Sequence, residues 1–231
     1  LGYLYCKQYF NDNTKKEVED MILYIKKVFK KMINKSSWMS KPTIKKALKK
    51  LENMRYKIGF PKKWKDFSKL FLHNDSFVLN VLNCNYFNFN YEISKLDKKV
   101  DKEIWYMSPH IVNAYYSPRG NEIVFPAAIL QEPFYNKSKG NIYNFSRLGE
   151  VIGHEMTHGF DDQGKEYDLY GNLKNWWKKE DEENYNKKAQ NVIRQYNKYK
   201  IFKKNVNGKL TQGENIADIG GFNITLSAYK L

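Results

Sequence analysis

Two histidines and a glutamate stand at a spacing that suits metal chemistry. His154 and His158 are four residues apart, so on a helix both imidazoles leave the same face, one turn from each other. That spacing lets two ring nitrogens reach one zinc ion at about 2.1 Å each. Glu155 is rotated off that face, close enough to hold the metal's water without being a ligand. Zinc lowers the pKa of its bound water towards about 7, so this carboxylate can take the proton.

Four apolar residues recur at helical spacing and predict a helix over residues 146–160. They are Leu148, Val151, Ile152 and Met156. On such a helix, a His-Glu-x-x-His run is the pattern of a metallopeptidase. The alternative is a helix whose histidines are merely solvated or hydrogen-bonded. Asp161 favours the metal site, because it lies seven residues after His154, placed to accept a ring N–H.

The class of site depends on the third ligand. A metzincin needs Gly and His three and six residues after His158, where this chain has Asp161 and Gly164, so that class is excluded. A glutamate roughly twenty residues further on would fall near Trp177 or Lys178, neither of which is a ligand.

The remaining candidates lie in the run from Gly213 to Gly221. Glu214 and Asp218 are four residues apart, on one helical face, which suits one carboxylate on zinc and the other orienting a ligating histidine. Gly220 and Gly221 would permit close helix packing. Two surface acids are the alternative interpretation, which the neighbouring zinc motif disfavours.

A hairpin is predicted upstream of the motif. Runs rich in β-formers at 111–116 and 122–125 flank the turn Ser117–Asn121, which contains Pro and Gly. Pro126 closes the second strand, which suits a sheet edge. An exposed edge can pair with an extended peptide through main-chain hydrogen bonds, although many hairpins simply cover a core.

Two amphipathic helices are predicted near the start of the chain. The first opens at Thr14, with Glu17 at the capping-box spacing. The second starts near Ser40, with Pro42 in its first turn, and ends at the Gly-Phe-Pro run 59–61.

The segment that follows is less regular. Residues 62–82 are expected to hold short helical pieces, and 83–91 a linker or a poorly specified helix. A domain boundary is placed near residue 75.

Composition bounds these interpretations. The chain has 231 residues, of which 42% are apolar and 16% aromatic, enough for one sizeable core or for pieces of two domains. No stretch approaches the roughly 20 apolar residues of a membrane span. The chain begins at Leu1 without a signal-peptide pattern, so a fragment is expected. Cys6 and Cys84 could pair together, pair with residues outside the chain, or stay reduced.

The net charge of +15 raises the question of nucleic-acid binding. Residues 1–75 hold 19 Lys/Arg against 7 Asp/Glu, whereas the remainder holds 21 against 18. The excess is assigned to solvated polar faces of helices, in preference to a phosphate-binding stripe, and no nucleic-acid partner is expected. The lysines concerned are Lys26, Lys27, Lys30, Lys31, Lys45, Lys46, Lys49 and Lys50.

Several longer motifs occur in one order along the chain. They are Val112–Tyr116, Ile123–Ala127, Val151–Asp162, Gly171–Leu173 with Trp176-Trp177, and Gly213–Asp218. Together they resemble the neprilysin and endothelin-converting-enzyme family of zinc metallopeptidases, over essentially the whole chain. The resemblance implies an α+β, predominantly α fold. Residues 1–75 would be the last helices of a capping domain, and 76–231 a C-terminally truncated, gluzincin-type (thermolysin-like) catalytic domain with an edge hairpin.

The resemblance also implies roles for the site residues. His154, His158 and Glu214 would bind one Zn²⁺ per chain, with Glu155 as general base. Asp218 is often written as a proton donor in this family, but an orienting role is preferred here, because a carboxylate near zinc should stay ionised.

The implied substrates are short peptides. Asn113 and Ala114 match the strand that holds the substrate backbone, and Val151 matches a wall of the hydrophobic pocket. Cleavage is expected on the amino side of large hydrophobic residues, in an extracytoplasmic setting. Membrane attachment would come only through a segment outside this chain.

Two departures from the family pattern affect these expectations. Asn191 stands where the family usually has a cysteine, so that disulfide is expected to be absent. The family's oxyanion-stabilising histidine and substrate-carboxylate arginine would lie beyond Leu231, so the fragment itself is expected to be inactive. A non-catalytic ectodomain and a nucleic-acid-binding module are the rival hypotheses. The intact zinc and base residues argue against the first.

Overall fold

The structure is a computed structural model that describes residues 1–230. The helices are α1 (Gly2–Tyr9), α2 (Asp12–Asn34), α3 (Lys41–Glu52), α4 (Phe77–Ile93), α5 (Gly140–Asn144), α6 (Glu150–His158), α7 (Lys179–Tyr196) and α8 (Gln212–Tyr229). The strands are β1 (Arg55–Gly59), β2 (Tyr115–Ser117), β3 (Glu122–Pro126), β4 (Lys200–Ile201) and β5 (Lys204–Asn205). The predicted α+β, predominantly α class is confirmed.

The chain divides into two compact units. Leu1–Phe60 and the described chain from Met107 onward form one unit, and Pro61–Tyr106 forms the other. The domain boundary near residue 75 remains a prediction.

Helix α2 begins two residues before its predicted start. The side chain of Asn11 accepts a hydrogen bond from the backbone N–H of Thr14 at 2.9 Å, so Asn11 is the N-cap and Thr14 lies in the first turn. One stripe of α2 is buried, as its spacing predicts. It consists of Val18, Met21, Ile22, Ile25, Val28, Phe29 and Ile33.

Helix α3 begins as predicted and ends earlier than predicted. Ser40 is its N-cap and Pro42 lies in its first turn. The helix stops at Glu52, and Arg55–Gly59 forms β1 instead of a last helical turn. Parallel pairing of β1 with β3 provides the backbone hydrogen bonds of this segment, so a long-range contact overrides the local helical pattern.

The predicted hairpin forms, but its second strand is not an edge. The sheet order is β1-β3-β2, which places β3 in the centre, and β3 is buried along its whole length. Pro126 is the last residue of β3, opposite Gly59, so the proline marks the end of a central strand. In the described part of this sheet, β2 is an outer strand.

The second unit differs from the sequence prediction. No helix lies between residues 62 and 76, and residues 83–91 belong to α4. Ser76 caps α4 by accepting from the N–H of Leu79 at 3.3 Å. No residue of α4 is buried, which explains why its sequence carries no amphipathic stripe.

Helices α6 and α8 pack against each other through glycines. A Cβ on Gly153 would lie 2.8 Å from the Cα of Gly221, and a Cβ on Gly220 would lie 2.5 Å from Thr157 Oγ1. These contacts leave no room for a side chain, so the close packing predicted from Gly220 and Gly221 is confirmed. The two helices that carry the candidate ligands are therefore held at a fixed separation.

One of the predicted surface lysines is a core residue. Lys50 is 1% exposed, so its assignment to a solvated face is wrong. Its spacing from Thr43 and Ala47, which are also buried, places it on the inner side of α3.

Two sequence expectations concern the thiols and the membrane. Cys6 and Cys84 are both free cysteines, so they do not pair with each other. No helix within residues 1–230 is both long and apolar enough to span a lipid bilayer.

Candidate metal centre

The two histidines project from one face of α6. Their ring planes are 83° apart, and His154 Nε2 lies 3.0 Å from His158 Nε2. The other face of α6 is anchored in the core, where Ile152 and Met156 are completely buried. This anchoring fixes the direction in which both imidazoles leave the helix.

Helix α8 places a third candidate ligand atom at the same point. Glu214 Oε2 lies 3.3 Å from the Nε2 atom of His154 and 3.3 Å from that of His158. Tetrahedral zinc with bonds of about 2.1 Å has ligand atoms separated by about 3.4 Å. The three separations, 3.0, 3.3 and 3.3 Å, match one triangular face of that tetrahedron.

Each histidine is oriented by an aspartate on its other nitrogen. His154 Nδ1 lies 2.7 Å from Asp218 Oδ1, and His158 Nδ1 lies 2.8 Å from Asp161 Oδ2. An ionised carboxylate can only accept, so each Nδ1 carries a hydrogen, and in the neutral imidazole each Nε2 keeps its lone pair. Two lone pairs and a carboxylate oxygen then converge with no hydrogen between them, an arrangement that a cation stabilises. The donor set therefore fits zinc.

Asp161 hydrogen-bonds to His158, whereas its sequence spacing had predicted a hydrogen bond to His154. It was predicted from its spacing to His154, but α6 ends at His158, and the turn beyond the helix brings Asp161 to the nearer ring. Burial opposes protonation of His158, yet the hydrogen bond and charge of Asp161 raise its pKa above the ordinary value. The aspartate is itself held, because its Oδ1 accepts from the N–H groups of Gln163 and Gly164 at 2.9 and 2.7 Å.

Glu155 lies beside the ligands and not among them. Its side chain is buried, and this burial raises the pKa of its carboxyl to about 7. The charge of His158 acts in the opposite direction, as does a hydrogen bond from the backbone of Tyr116. A carboxyl with a pKa near neutrality suits a general base. Sequence reasoning missed the contribution of Tyr116, because a backbone donor leaves no signal in the residue type.

The predicted substrate-binding residues occupy two elements next to Glu155. Asn113 and Ala114 immediately precede β2; Asn113 is exposed and Ala114 is buried. The side chain of Asn113 accepts from the N–H of Ala114 at 2.9 Å. Val151 lies on α6, one turn before His154, and is partly buried. Their contacts with a peptide remain a prediction.

Glu150 is a further acidic neighbour that sequence reasoning missed. One ligand atom each from Glu150, His154 and Asp218 lie within 4.8 Å of one another. Burial raises the pKa of Glu150, and the charge of Asp218 adds to the increase. Asp218 is thus flanked by a histidine on one side and a carboxyl group on the other. The signal for Glu150 was its spacing, four residues before His154 on the same helix.

A helix-borne His-Glu-x-x-His pair, completed by a glutamate from a second helix, defines the class of zinc metallopeptidases. Comparison with known families agrees with that class. Residues 113–231 match the model for Peptidase family M13, and residues 1–61 match a second model with the same description. The chain belongs to peptidase family M13, which confirms the resemblance found in the sequence.

Similar proteins extend over the whole chain. It is 42% identical to an endothelin-converting enzyme homolog of Locusta migratoria, over 99% of this chain and 32% of that protein. It is 38% identical to neprilysin-3 of Drosophila melanogaster, over 100% of this chain and 30% of that protein. The chain thus spans about a third of the length of the curated relatives it matches.

Solved structures give the same result for the fold. The zinc metalloprotease Zmp1 of Mycobacterium tuberculosis, in complex with an inhibitor, superposes with a TM-score of 0.94 at 39% identity, covering 99% of this chain and 36% of Zmp1. PepO from Lactobacillus rhamnosis superposes with a TM-score of 0.91 at 33% identity, covering 97% of this chain and 36% of PepO.

Proposed function

We propose that the protein containing this chain is a zinc-dependent endopeptidase that hydrolyses short peptides. The observation that carries the proposal is the convergence of His154 Nε2, His158 Nε2 and Glu214 Oε2 at 3.0–3.3 Å, with Glu155 buried beside them. Membership of peptidase family M13 supports the same reaction class.

The ligands are His154, His158 and Glu214, and one Zn²⁺ per chain is proposed. Zinc held by these residues would supply Lewis-acid activation of a water molecule and of the substrate carbonyl. Glu155 takes a proton from the water molecule that attacks the scissile carbonyl and then passes this proton to the leaving amine. Its buried carboxyl next to the candidate ligands can hold the proton between the two steps.

Asp161 and Asp218 are proposed to orient the ligating rings. Each accepts the Nδ1 hydrogen of one histidine, which fixes the tautomer that presents a lone pair to the metal. Asp218 Oδ1 lies 2.7 Å from His154 Nδ1, on the side of the ring away from the converging Nε2 atoms. This supports an orienting role over proton donation.

The substrate is proposed to lie along β2 as an extended peptide. An outer strand offers main-chain groups to such a peptide, and Asn113 and Ala114 lie where the strand begins. Val151 would line the pocket for the residue that follows the cut, with a preference for large hydrophobic side chains. An extracytoplasmic location is proposed from the neprilysin and endothelin-converting-enzyme relatives.

The test uses the whole protein that contains this chain, purified with and without the substitution Glu155→Gln. We expect one zinc per chain in both proteins, cleavage of an internally quenched peptide by the unsubstituted protein, and no turnover by Glu155→Gln. Stoichiometric zinc without cleavage in the unsubstituted protein would favour a non-catalytic ectodomain. A Glu155→Gln protein that still cleaves would exclude Glu155 as the base.

A further inference from the structure

Lys50 is a buried lysine on a helix that carries none of the candidate ligands. Its Nζ donates to the carbonyl oxygens of Gly164 at 2.6 Å and of Tyr167 at 2.7 Å. The contacts join positions 114 and 117 apart in the sequence. Lysines are almost never fully buried unless they are paired, and this one is held by two carbonyl oxygens. Burying a lysine costs free energy, so we expect the burial of Lys50 to have a functional reason.

The peptide units on which Lys50 acts lead directly to a metal ligand. Gly164 offers its C=O to Lys50 and its N–H to Asp161 Oδ1, the latter at 2.7 Å. The other oxygen of Asp161 accepts from His158 Nδ1 at 2.8 Å. Lys50, Gly164, Asp161 and His158 therefore form one continuous hydrogen-bonded path that ends on a zinc ligand.

Gly164 is packed tightly against the end of helix α6. A Cβ at this residue would lie 2.2 Å from the carbonyl oxygen of His158, so the turn packs directly on the end of α6. Trp176 Nε1 donates to the same Gly164 oxygen at 3.2 Å. Lys50 and Trp176 therefore hold the peptide group that follows the Gly164 Cα, and Asp161 holds the peptide group that precedes it.

The surroundings of Lys50 hold it in place. Its Nζ lies 5.4 Å from the ring centroid of Trp176 and 5.9 Å from those of Tyr116 and Phe160, within the range of cation–π attraction. Its backbone carbonyl accepts from Asn121 Nδ2 at 3.0 Å. Lys50 is therefore fixed at both its backbone and its ammonium group.

We propose that Lys50 is a positioning residue for His158: by holding the Gly164 and Tyr167 carbonyls, it fixes the turn that carries Asp161 and so tightens zinc binding. The inference rests on the proposed zinc ligands and adds a determinant from helix α3, in the part of the chain before the catalytic motif. If the unsubstituted chain binds no zinc, the proposed metal centre fails. If it binds zinc and Lys50 makes no difference, only this inference fails.

The experiment uses the whole protein that contains this chain and measures its zinc dissociation constant by competition with a chromophoric chelator. We expect Lys50→Met to weaken zinc binding about tenfold, the lower end of the range for groups that support a ligand. Lys49→Met is the matched control, because Lys49 is the preceding residue of α3 and its side chain is exposed. Its zinc affinity should stay within about twofold of the unsubstituted value.

A purely structural role for Lys50 predicts a different pattern. It would lower the unfolding free energy without changing zinc affinity in protein that is fully folded. The double variant Lys50→Met with Asp161→Asn distinguishes the structural role from the positioning role. Both substitutions act on the same hydrogen-bonded path, so their effects on zinc affinity should not add. Additive effects would overturn the proposal.

Lys50→Arg keeps the result decisive if Lys50→Met does not fold. Arginine retains the charge, but its planar fork does not reproduce the contacts of a compact ammonium. We expect it to weaken zinc binding about threefold, less than the roughly tenfold effect expected for loss of the donor in Lys50→Met. Unchanged zinc affinity in folded Lys50→Arg and, where it folds, Lys50→Met would overturn the proposal.

Discussion

The separation of α6 and α8 is the feature whose perturbation gives the clearest quantitative prediction. Gly221 lies on α8, two turns after Glu214, and a Cβ there would be 2.6 Å from the backbone nitrogen of His154 and 2.7 Å from Glu150 O. Ordinary contact begins at 3.4 Å, so Gly221→Ala must move the helices apart by the difference, 0.8 Å. Zinc sites tolerate changes in ligand distance of only about 0.2 Å.

The expected cost follows from that displacement. Overpacking of a tight contact costs about 1–3 kcal/mol. If the helices relieve the strain by separating, the cost falls on the zinc-bound state, because Glu214 moves away from the two histidines. At about 1.4 kcal/mol per tenfold change, Gly221→Ala should weaken zinc binding by about 5- to 150-fold.

Chelator competition measures this effect, and urea unfolding of the metal-free chain measures the accompanying change in stability. Gly213→Ala is the matched control, since it lies on the same helix and its Cβ would meet nothing closer than Asp161 Oδ2 at 3.5 Å. It should leave zinc affinity within about twofold and raise helix stability slightly. A folded Gly221→Ala chain with unchanged zinc affinity would refute the reasoning, because α8 could then shift without moving Glu214.

Two further predictions concern stability. Burial lowers the pKa of Lys50 from 10.5 to about 7, so between those pH values the unfolded chain binds a proton that the folded chain does not. The unfolding free energy should therefore rise with pH across this window, by up to about 1.4 kcal/mol per pH unit from this group. Urea titrations at several pH values should show a smaller rise of the unfolding free energy with pH in Lys50→Met. An equal rise would contradict the lowered pKa of Lys50. Asp181 is buried and accepts from the backbone N–H of Ser40 at 2.5 Å and from Thr43 Oγ1 at 2.6 Å. Asp181→Ala removes the acceptor of these hydrogen bonds and should lower the unfolding free energy by about 1–3 kcal/mol, whereas exposed Glu180→Ala should change it by less than about 0.5 kcal/mol. Equal effects of the two substitutions would show that the Asp181 hydrogen bonds do not stabilise the fold.

The sequence predicted that His154 and His158 share one helical face because their spacing is local. Four residues on a helix place His154 and His158 on one face, whatever surrounds them. Glu214 needed more information, since its distance in sequence from the histidines is set by packing. Elimination of other spacings, together with the glycines beside it, identified the helix that carries it.

Long-range pairing explains most of the errors. The segment Arg55–Gly59 has no local signal that outweighs its helical neighbours, and its strand forms because β3 lies alongside. The same pairing makes β3 a central strand, whereas Pro126 had suggested that β3 lies at the edge of the sheet. Asp161 was assigned by helical spacing, but the chain leaves the helix before reaching it.

Lys50 illustrates a limit of charge patterning. A lysine on an amphipathic helix is ordinarily solvated, and composition alone places it outside. Its spacing from Thr43 and Ala47 carried the contrary signal. The two carbonyl oxygens that hold it belong to a turn more than a hundred residues away, which no local pattern of α3 reveals.

Diffraction from crystals of the zinc-loaded chain, recorded at the zinc absorption edge, tests the metal centre most directly. We expect a single anomalous peak within about 2.1 Å of His154 Nε2, His158 Nε2 and a carboxylate oxygen of Glu214. Asp161 and Asp218 should remain on the Nδ1 atoms and Glu155 should lie outside the ligand set. A zinc ion bound elsewhere, or one coordinated by Asp218 in place of Glu214, would contradict the proposed site.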